Sequence, residues 1–244
     1  MRFLLIHGGT FDDRCWDRMR AQLAFPSTAV VQPGRGNNRP EEIRSVALPD
    51  YRETVAEAVR STAGDLILVA HSLAGLSVTA GIAAAPERVR HVILLSCAVL
   101  PEGESVLSAI HGQPAPDVDA DAALLGEPVA QTPELVARMA GEMSPEELAY
   151  TFSISVAEPG RVLRSPTTLT GWDAGVPATW VRLLRDNVFT PQRQTEMAAR
   201  AGVTDIVDVD AGHLAMISRA AEIAAICNRV AARYATAGAA APTG

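Results

Sequence analysis

The stretch Leu66-Ile67-Leu68-Val69-Ala70-His71-Ser72-Leu73-Ala74-Gly75-Leu76-Ser77 constrains this chain more than any other. Five apolar residues run without a break into a His-Ser pair, and small or apolar residues follow. A short unbroken apolar run predicts a strand buried on both faces, as in a parallel sheet. The His-Ser pair then predicts a sharp turn with Ser72 at its tip and a helix leaving it. A serine so placed lifts its oxygen above the carboxyl ends of the strands. That is a nucleophile elbow, usually with glycine two residues before and two after the serine. Both positions are alanine here, Ala70 and Ala74. Glycine relieves crowding at such a strained turn. Alanine is the smallest alternative, so a working elbow is expected, one that Ala74→Gly leaves active and Ala74→Val crowds.

The rest of the chain is organised to suit that strand. Residues 2–6 predict a short buried strand ending in His7-Gly8-Gly9-Thr10, whose glycines allow close backbone approach. Helical spacing at 15–24 and 51–61 and apolar runs at 29–31 and 90–97 continue an alternation of strand and helix. The glycines Gly34 and Gly36 lack a third partner and a following helix, so 33–38 reads as a plain loop. Alternation of this kind implies a parallel sheet with helices on both faces. From 101 to 165 the pattern changes to Pro, Gly, Asp and Glu with helical patches at 133–141 and 145–153. That is too long for a simple connection. It predicts a helical cap over the carboxyl edge of the sheet, where open α/β folds bind ligands. The sheet resumes at 178–184 and 203–209, with helices at 191–201 and 220–234. The expected division is a core of 1–100 and 166–236, a cap of 101–165, and a disordered Ala-Gly-Pro tail of 237–244.

Composition narrows the function classes. The chain has 244 residues, enough for one α/β domain, and its net charge of -7 argues against a nucleic-acid binder. Its basic residues are all arginine, so Schiff-base chemistry is excluded. Cys15, Cys97 and Cys227 are odd in number and widely spaced, which predicts free buried thiols in a reducing compartment. The first apolar run is too short for a signal peptide and no run suits a membrane span, so the expected location is cytoplasmic. Asp205, Asp208 and Asp210 read as solvated or capping carboxylates. No metal or organic cofactor is implied.

A serine hydroxyl needs a base, and the base needs an orienting acid. Ser72, Asp186 and His213 each follow a predicted strand and occur in the chain order Ser, Asp, His. They are therefore expected to converge at one sheet edge. An oxyanion formed there would be met by the backbone N–H of Leu73, at a helix start, and by that of Gly9 in the first loop. His7 and His71 border this site and read as structural hydrogen-bonders. His91 and His111 read as strand or surface residues. Met143, Phe152, Trp172 and Trp180 are candidates for either pocket lining or core.

Leu4-Leu5-Ile6-His7-Gly8-Gly9, Cys15-Trp16-Asp17-Arg18, Ala70 to Gly75, Leu100-Pro101, the Asp-x-x-x-x-Pro-x-x-Gln pattern from Asp186 to Gln194, and Gly212-His213-Leu214 together resemble the α/β-hydrolase superfamily. The branch they resemble includes plant methylesterases, hydroxynitrile lyases and bacterial pyrethroid-type carboxylesterases. The resemblance implies an α/β-hydrolase fold with a helical cap and supports Asp186 over Asp173 as the acid. Cys97 stands where bacterial relatives often carry Asp, which leaves Asp186 without a rival. Within the branch, hydroxynitrile lyases carry threonine and lysine where this chain has Gly8 and Leu214. The implied activity is hydrolysis of a small, largely apolar ester, by an enzyme for which a homodimer is an open arrangement. A C–C lyase, an acyltransferase or cyclase, and a non-catalytic receptor remain alternatives on the same fold.

Overall fold

A computed structural model describes residues 1–36, 38–111, 128–129 and 132–238. Six strands form a single sheet: β1 Arg2–Ile6, β2 Ser27–Val30, β3 Leu66–His71, β4 Val89–Leu95, β5 Ala178–Leu183 and β6 Asp205–Val209. Their order is β2-β1-β3-β4-β5-β6, and every pairing between them is parallel. The order reverses after β2, so the chain winds first one way from β1 and then the other, the kind of crossover that puts helices on both faces.

Alternation along the central strands divides the core. Leu4, Ile6, Leu66, Leu68 and Ala70 pack on one face against Tyr51, Val55 and Val59 of the helix Leu48–Ser61 and against Val78 and Ile82 of Val78–Ala84. Phe3, Leu5, Ile67 and Val69 pack on the other face with Met19, Ile223, Ile226 and Val230. β3 is buried at every position, as its unbroken apolar run requires. The edge strands β2 and β6 are only partly covered.

Between β4 and β5 lie the helices Val106–His111, Pro133–Ala140, Pro145–Ser153 and Gly160–Arg164. The second and third begin at Pro with a side-chain cap before it. Thr132 accepts from the Leu135 N–H. Ser144 and Glu147 satisfy each other's backbone N–H groups in a capping box. The helices Val106–His111 and Gly160–Arg164 are too short to leave a period in the sequence. The last helix runs Ala220–Gly238, past the expected tail boundary at 237, and the tail from 239 lies outside the described residues. Among the described residues no helix is long and apolar enough to cross a membrane.

After the elbow the chain departs from the expectation that a helix leaves the turn directly. Ser72–Leu76 is a tighter 3-10 turn, and the α-helix starts only at Val78. This segment is closely packed: a β-carbon on Gly75 would lie 2.3 Å from the carbonyl oxygen of Ala98. Ala98 in turn donates its N–H to the Ser72 carbonyl at 2.8 Å. The glycine the elbow needs is therefore Gly75, one residue beyond the usual position. Gly75→Ala is expected to destabilise the fold by about 1–3 kcal/mol, the usual range for overpacking, measured by urea unfolding. Wild-type stability in that variant would show that the Ala98 backbone can give way.

Candidate active site

Four strand ends build the site. Ser72 follows β3 directly, with φ of 52°, in the left-handed region. The turn thereby points its Oγ toward His213 Nε2 at 2.9 Å. His213 lies in the loop after β6, and its Nδ1 meets Asp186 Oδ2 at 2.7 Å, from the loop after β5. The structure thus brings the three residues into one buried chain of hydrogen bonds. Asp186 is held from several sides. Its Oδ1 accepts the N–H groups of Val188 at 2.7 Å and Phe189 at 3.0 Å, and its Oδ2 also accepts the Ser96 hydroxyl at 2.6 Å. Burial alone would raise its pKa. The charge of His213 and these hydrogen bonds outweigh burial and hold it below the ordinary carboxylate value.

Ser96 is a contribution the sequence reading missed. It is buried at the end of β4 with φ of 42°. Cys97 beside it turns away, donating its thiol to the Ala70 carbonyl at 3.1 Å. The Asp-x-x-x-x-Pro-x-x-Gln pattern also acquires a physical reason. Gln194 is fully buried, accepts from the Leu183 N–H, and donates to the carbonyls of Leu183 and Phe189. It fastens the loop that carries Asp186 to the strand before it.

The two bordering histidines are held neutral. His71 donates Nε2–H to the His213 carbonyl at 2.9 Å, and its ring lies 4.8 Å from the His213 ring. Burial and the neighbouring His213 push its pKa well below the usual histidine value. His7 donates Nδ1–H to the Gly8 carbonyl at 2.8 Å and accepts the Gln32 N–H at Nε2. Burial, with Arg35 nearby, pushes its pKa down to about 3. His91 lies away from the site, between Tyr234 and Thr179. His111 ends the helix Val106–His111.

Gly9, Ser72, Leu73 and His213 open onto one pocket of about 340 Å³. Its described lining is mostly apolar, from Ala98, Val106, Leu107, Val129, Leu135, Met139, Leu163, Val188 and Phe189. Thr10, Arg138, Glu158 and Arg193 supply its polar lining. The four aromatic and methionine candidates are not among these residues. Trp180 is in the core, Phe152 is exposed, Trp172 lines a separate cavity at the opposite sheet edge, and Met143 takes a hydrogen bond from Thr151. The two arginines bring cationic side chains to the pocket wall, although the chain has no lysine. Gly8 gives a firmer constraint: a β-carbon there would lie 2.7 Å from His71 Nδ1 and 2.9 Å from Ser72 Cβ. Leu214, next to His213, is fully buried in the core.

Elsewhere, Asp208 and Asp210 pair with Arg182 and Arg185, and Asp205 accepts the Thr179 hydroxyl. Among the described residues no cluster of His, Cys, Asp or Glu could hold a metal. Cys15, Cys97 and Cys227 are free and buried.

The sequence model of the alpha/beta hydrolase family matches residues 3–226. The chain is 25% identical to methylesterase 7 of Arabidopsis thaliana over 96% of its length and 97% of that protein. It is 26% identical to the probable esterase PIR7A of Oryza sativa subsp. indica, covering 95% of this chain and 97% of the relative. An extracellular alpha/beta-hydrolase from a Paenibacillus species superposes with a TM-score of 0.79 at 16% identity, covering 94% of this chain and 98% of the other. The methylesterase MES16 of Arabidopsis superposes with a TM-score of 0.74 at 20% identity, covering 95% and 99%.

The neutral histidines make a pH signature. His7 and His71 stay unprotonated in the fold, whereas in the unfolded chain each takes up a proton below about pH 6.5. Stability from both is thus complete above that pH and lost as pH falls toward their depressed native pKa values, at about 1.4 kcal/mol per pH unit for each. Urea unfolding between pH 7 and pH 4.5 should show this slope. A flat profile would mean that the native state protonates them.

Proposed function

This chain belongs to the alpha/beta hydrolase family, and from that premise we propose that it is a carboxylic-ester hydrolase working through a Ser72–His213–Asp186 triad. The observation that carries the reading is the buried relay from Ser72 Oγ to His213 Nε2 at 2.9 Å and from His213 Nδ1 to Asp186 at 2.7 Å. It opens on a pocket shared with Gly9 and Leu73. Ser72 Oγ attacks the acyl carbonyl while His213 takes its proton at Nε2. Asp186 fixes the tautomer that leaves Nε2 free and stabilises the imidazolium. The N–H groups of Leu73 and Gly9 stabilise the oxyanion. Leu73 stands in the first turn of the 3-10 segment, where backbone N–H groups lack helical partners. The tetrahedral species collapses as His213 returns the proton to the leaving alcohol. Water, activated by the same histidine, then releases the acid from Ser72.

The apolar lining favours a small, largely apolar ester, in keeping with the methylesterase and esterase names of the relatives. The helices Val106–His111, Pro133–Ala140 and Gly160–Arg164 act as a cap, because they supply Val106, Leu107, Leu135, Met139 and Leu163 to the pocket. Against cyanohydrin cleavage stands Gly8. No hydroxyl-bearing side chain fits between His71 and Ser72 there.

A panel of p-nitrophenyl and methyl esters of graded acyl size tests this reading. The wild type should cleave the short apolar members and take a fluorophosphonate on Ser72. Ser72→Ala should lose both, and His213→Ala should lose at least about 10³-fold in kcat. Cyanide release from mandelonitrile without ester cleavage would sink hydrolysis in favour of the lyase. No turnover and no labelling would sink the enzyme reading altogether.

A further inference from the structure

A buried carboxylate outside the triad reaches the loop that carries Gly9 and Thr10. Glu158 is completely buried in the stretch between the helices Pro145–Ser153 and Gly160–Arg164. Its Oε2 accepts the Thr10 N–H at 2.6 Å, from 148 residues away in the chain. The same oxygen pairs with the guanidinium of Arg35, itself fully buried. Its Oε1 accepts the Tyr51 hydroxyl at 3.0 Å. Arg35 is spoken for as well, donating to Tyr51 Oη at 2.7 and 3.1 Å and to the Phe11 carbonyl at 2.9 Å. The neighbouring backbone adds to the hold. The Val156 N–H donates to the Thr10 carbonyl at 3.0 Å, and Glu158 exchanges two backbone hydrogen bonds with Val129.

Thr10 has φ of 62°, a conformation a threonine keeps only when its surroundings impose it. Gly9, immediately before it, is enclosed as tightly. A β-carbon on Gly9 would lie 3.2 Å from Glu158 Oε2 and 3.3 Å from Leu73 Cδ2. The carboxylate therefore lies against Gly9, which lines the pocket, and holds the N–H of the next residue. A buried charge pair is seldom a net source of stability against an apolar substitute, so its presence asks for another reason.

We propose that Glu158, neutralised by Arg35 and steadied by Tyr51, is the positioning residue of the oxyanion hole: it holds the Gly8-Gly9-Thr10 loop so that the Gly9 N–H meets charge that appears only in the transition state. The inference rests on the ester-hydrolase reading above. It also makes a claim about the loop that stands apart from activity.

Two variants and two kinds of readout test it. Glu158→Gln keeps the shape but removes the charge that pairs with Arg35 and leaves one acceptor oxygen where Thr10, Arg35 and Tyr51 now share two. The pair Arg35→Met with Glu158→Leu removes both buried charges and refills the volume. In either, kcat per fluorophosphonate-titrated serine should fall about 10- to 100-fold, a share of the loss that follows removal of an oxyanion donor. KM should stay within about threefold. Affinity for a trifluoromethyl ketone should fall by the same factor as kcat. Binding of the product acid, which develops no oxyanion, should not change. A role in stability alone lowers the amount of titratable enzyme and leaves turnover per site untouched. Independently, amide exchange at Thr10 should quicken at least tenfold while the β1 and β3 amides keep their protection. Exchange and turnover per site both at wild-type values would overturn the proposal. So would a failure of both variants to fold, which would assign the pair to stability. A wild type that takes no serine probe would sink the hydrolase reading instead, and the claim about the loop would still be decided by the exchange at Thr10.

Discussion

A serine held at φ of 52° at the end of a buried parallel strand is the constraint on which this structure depends. Left-handed backbone costs a non-glycine residue about 1–3 kcal/mol and persists only when its surroundings over-determine it. Here three such residues stand at three adjacent strand ends: Thr10 after β1, Ser72 after β3 and Ser96 after β4. Each has a specific restraint. The carbonyl of Ser72 takes the Ala98 N–H, Ser96 anchors its hydroxyl on Asp186, and Thr10 lies between Glu158 and Val156. The strain at these three residues lies where the proposed chemistry is, and it is offset by a sheet whose strand β3 is buried at every position.

Electrostatics at this edge follow the same economy. Among the residues whose side chains are described, four histidines are buried, and three of them are kept neutral by burial: His7, His71 and His91. The two near Ser72 cannot compete as bases. His71 uses its N–H to hold the backbone of His213, and the lone pair that matters on His7 is taken by Gln32. Asp186 is the reverse case. It is buried but ionised, because two backbone N–H groups, a hydroxyl and the imidazole all favour the charge. With Asp186 ionised against its ring and His7 and His71 neutral, His213 is the group placed to accept the proton of Ser72 during the proposed reaction.

Much of this could be read from residue order. The unbroken apolar run of β3 and the alternation of strands and helices fixed a parallel sheet, because burial on both faces leaves few other solutions. Ser72, Asp186 and His213 were legible because each ends a strand, and parallel strands end on one side. Gly75, Ser96, Arg35 and Glu158 were not. Their roles come from contacts between distant segments, such as Glu158 with Thr10 and Gly75 with Ala98, which no local period records. Arg35 lies in a stretch that reads as a plain loop. Only the fold turns that loop inward, with Gly34 and Gly36 in left-handed conformation on either side. The arginines at the pocket wall were hidden for the same reason. Their helices were visible, but not the direction in which they face.

The loop from His7 to Thr10 shows where variation is possible. Gly8 is walled by His71 and Ser72, and Gly9 by Glu158 and Leu73. The Gly8 carbonyl is tied by His7, and the N–H of Thr10 by Glu158. Nothing on this side of the pocket can move or enlarge without displacing the proposed nucleophile or oxyanion donors. The opposite wall is different. It is built from Val106, Leu107, Leu135, Met139 and Leu163, side chains on short helices. That wall supplies much of the apolar lining, while Glu158, which belongs to the same connecting segment in sequence, serves the fixed side. One insertion between β4 and β5 thus carries both an apolar wall of the pocket and the brace for its rigid one.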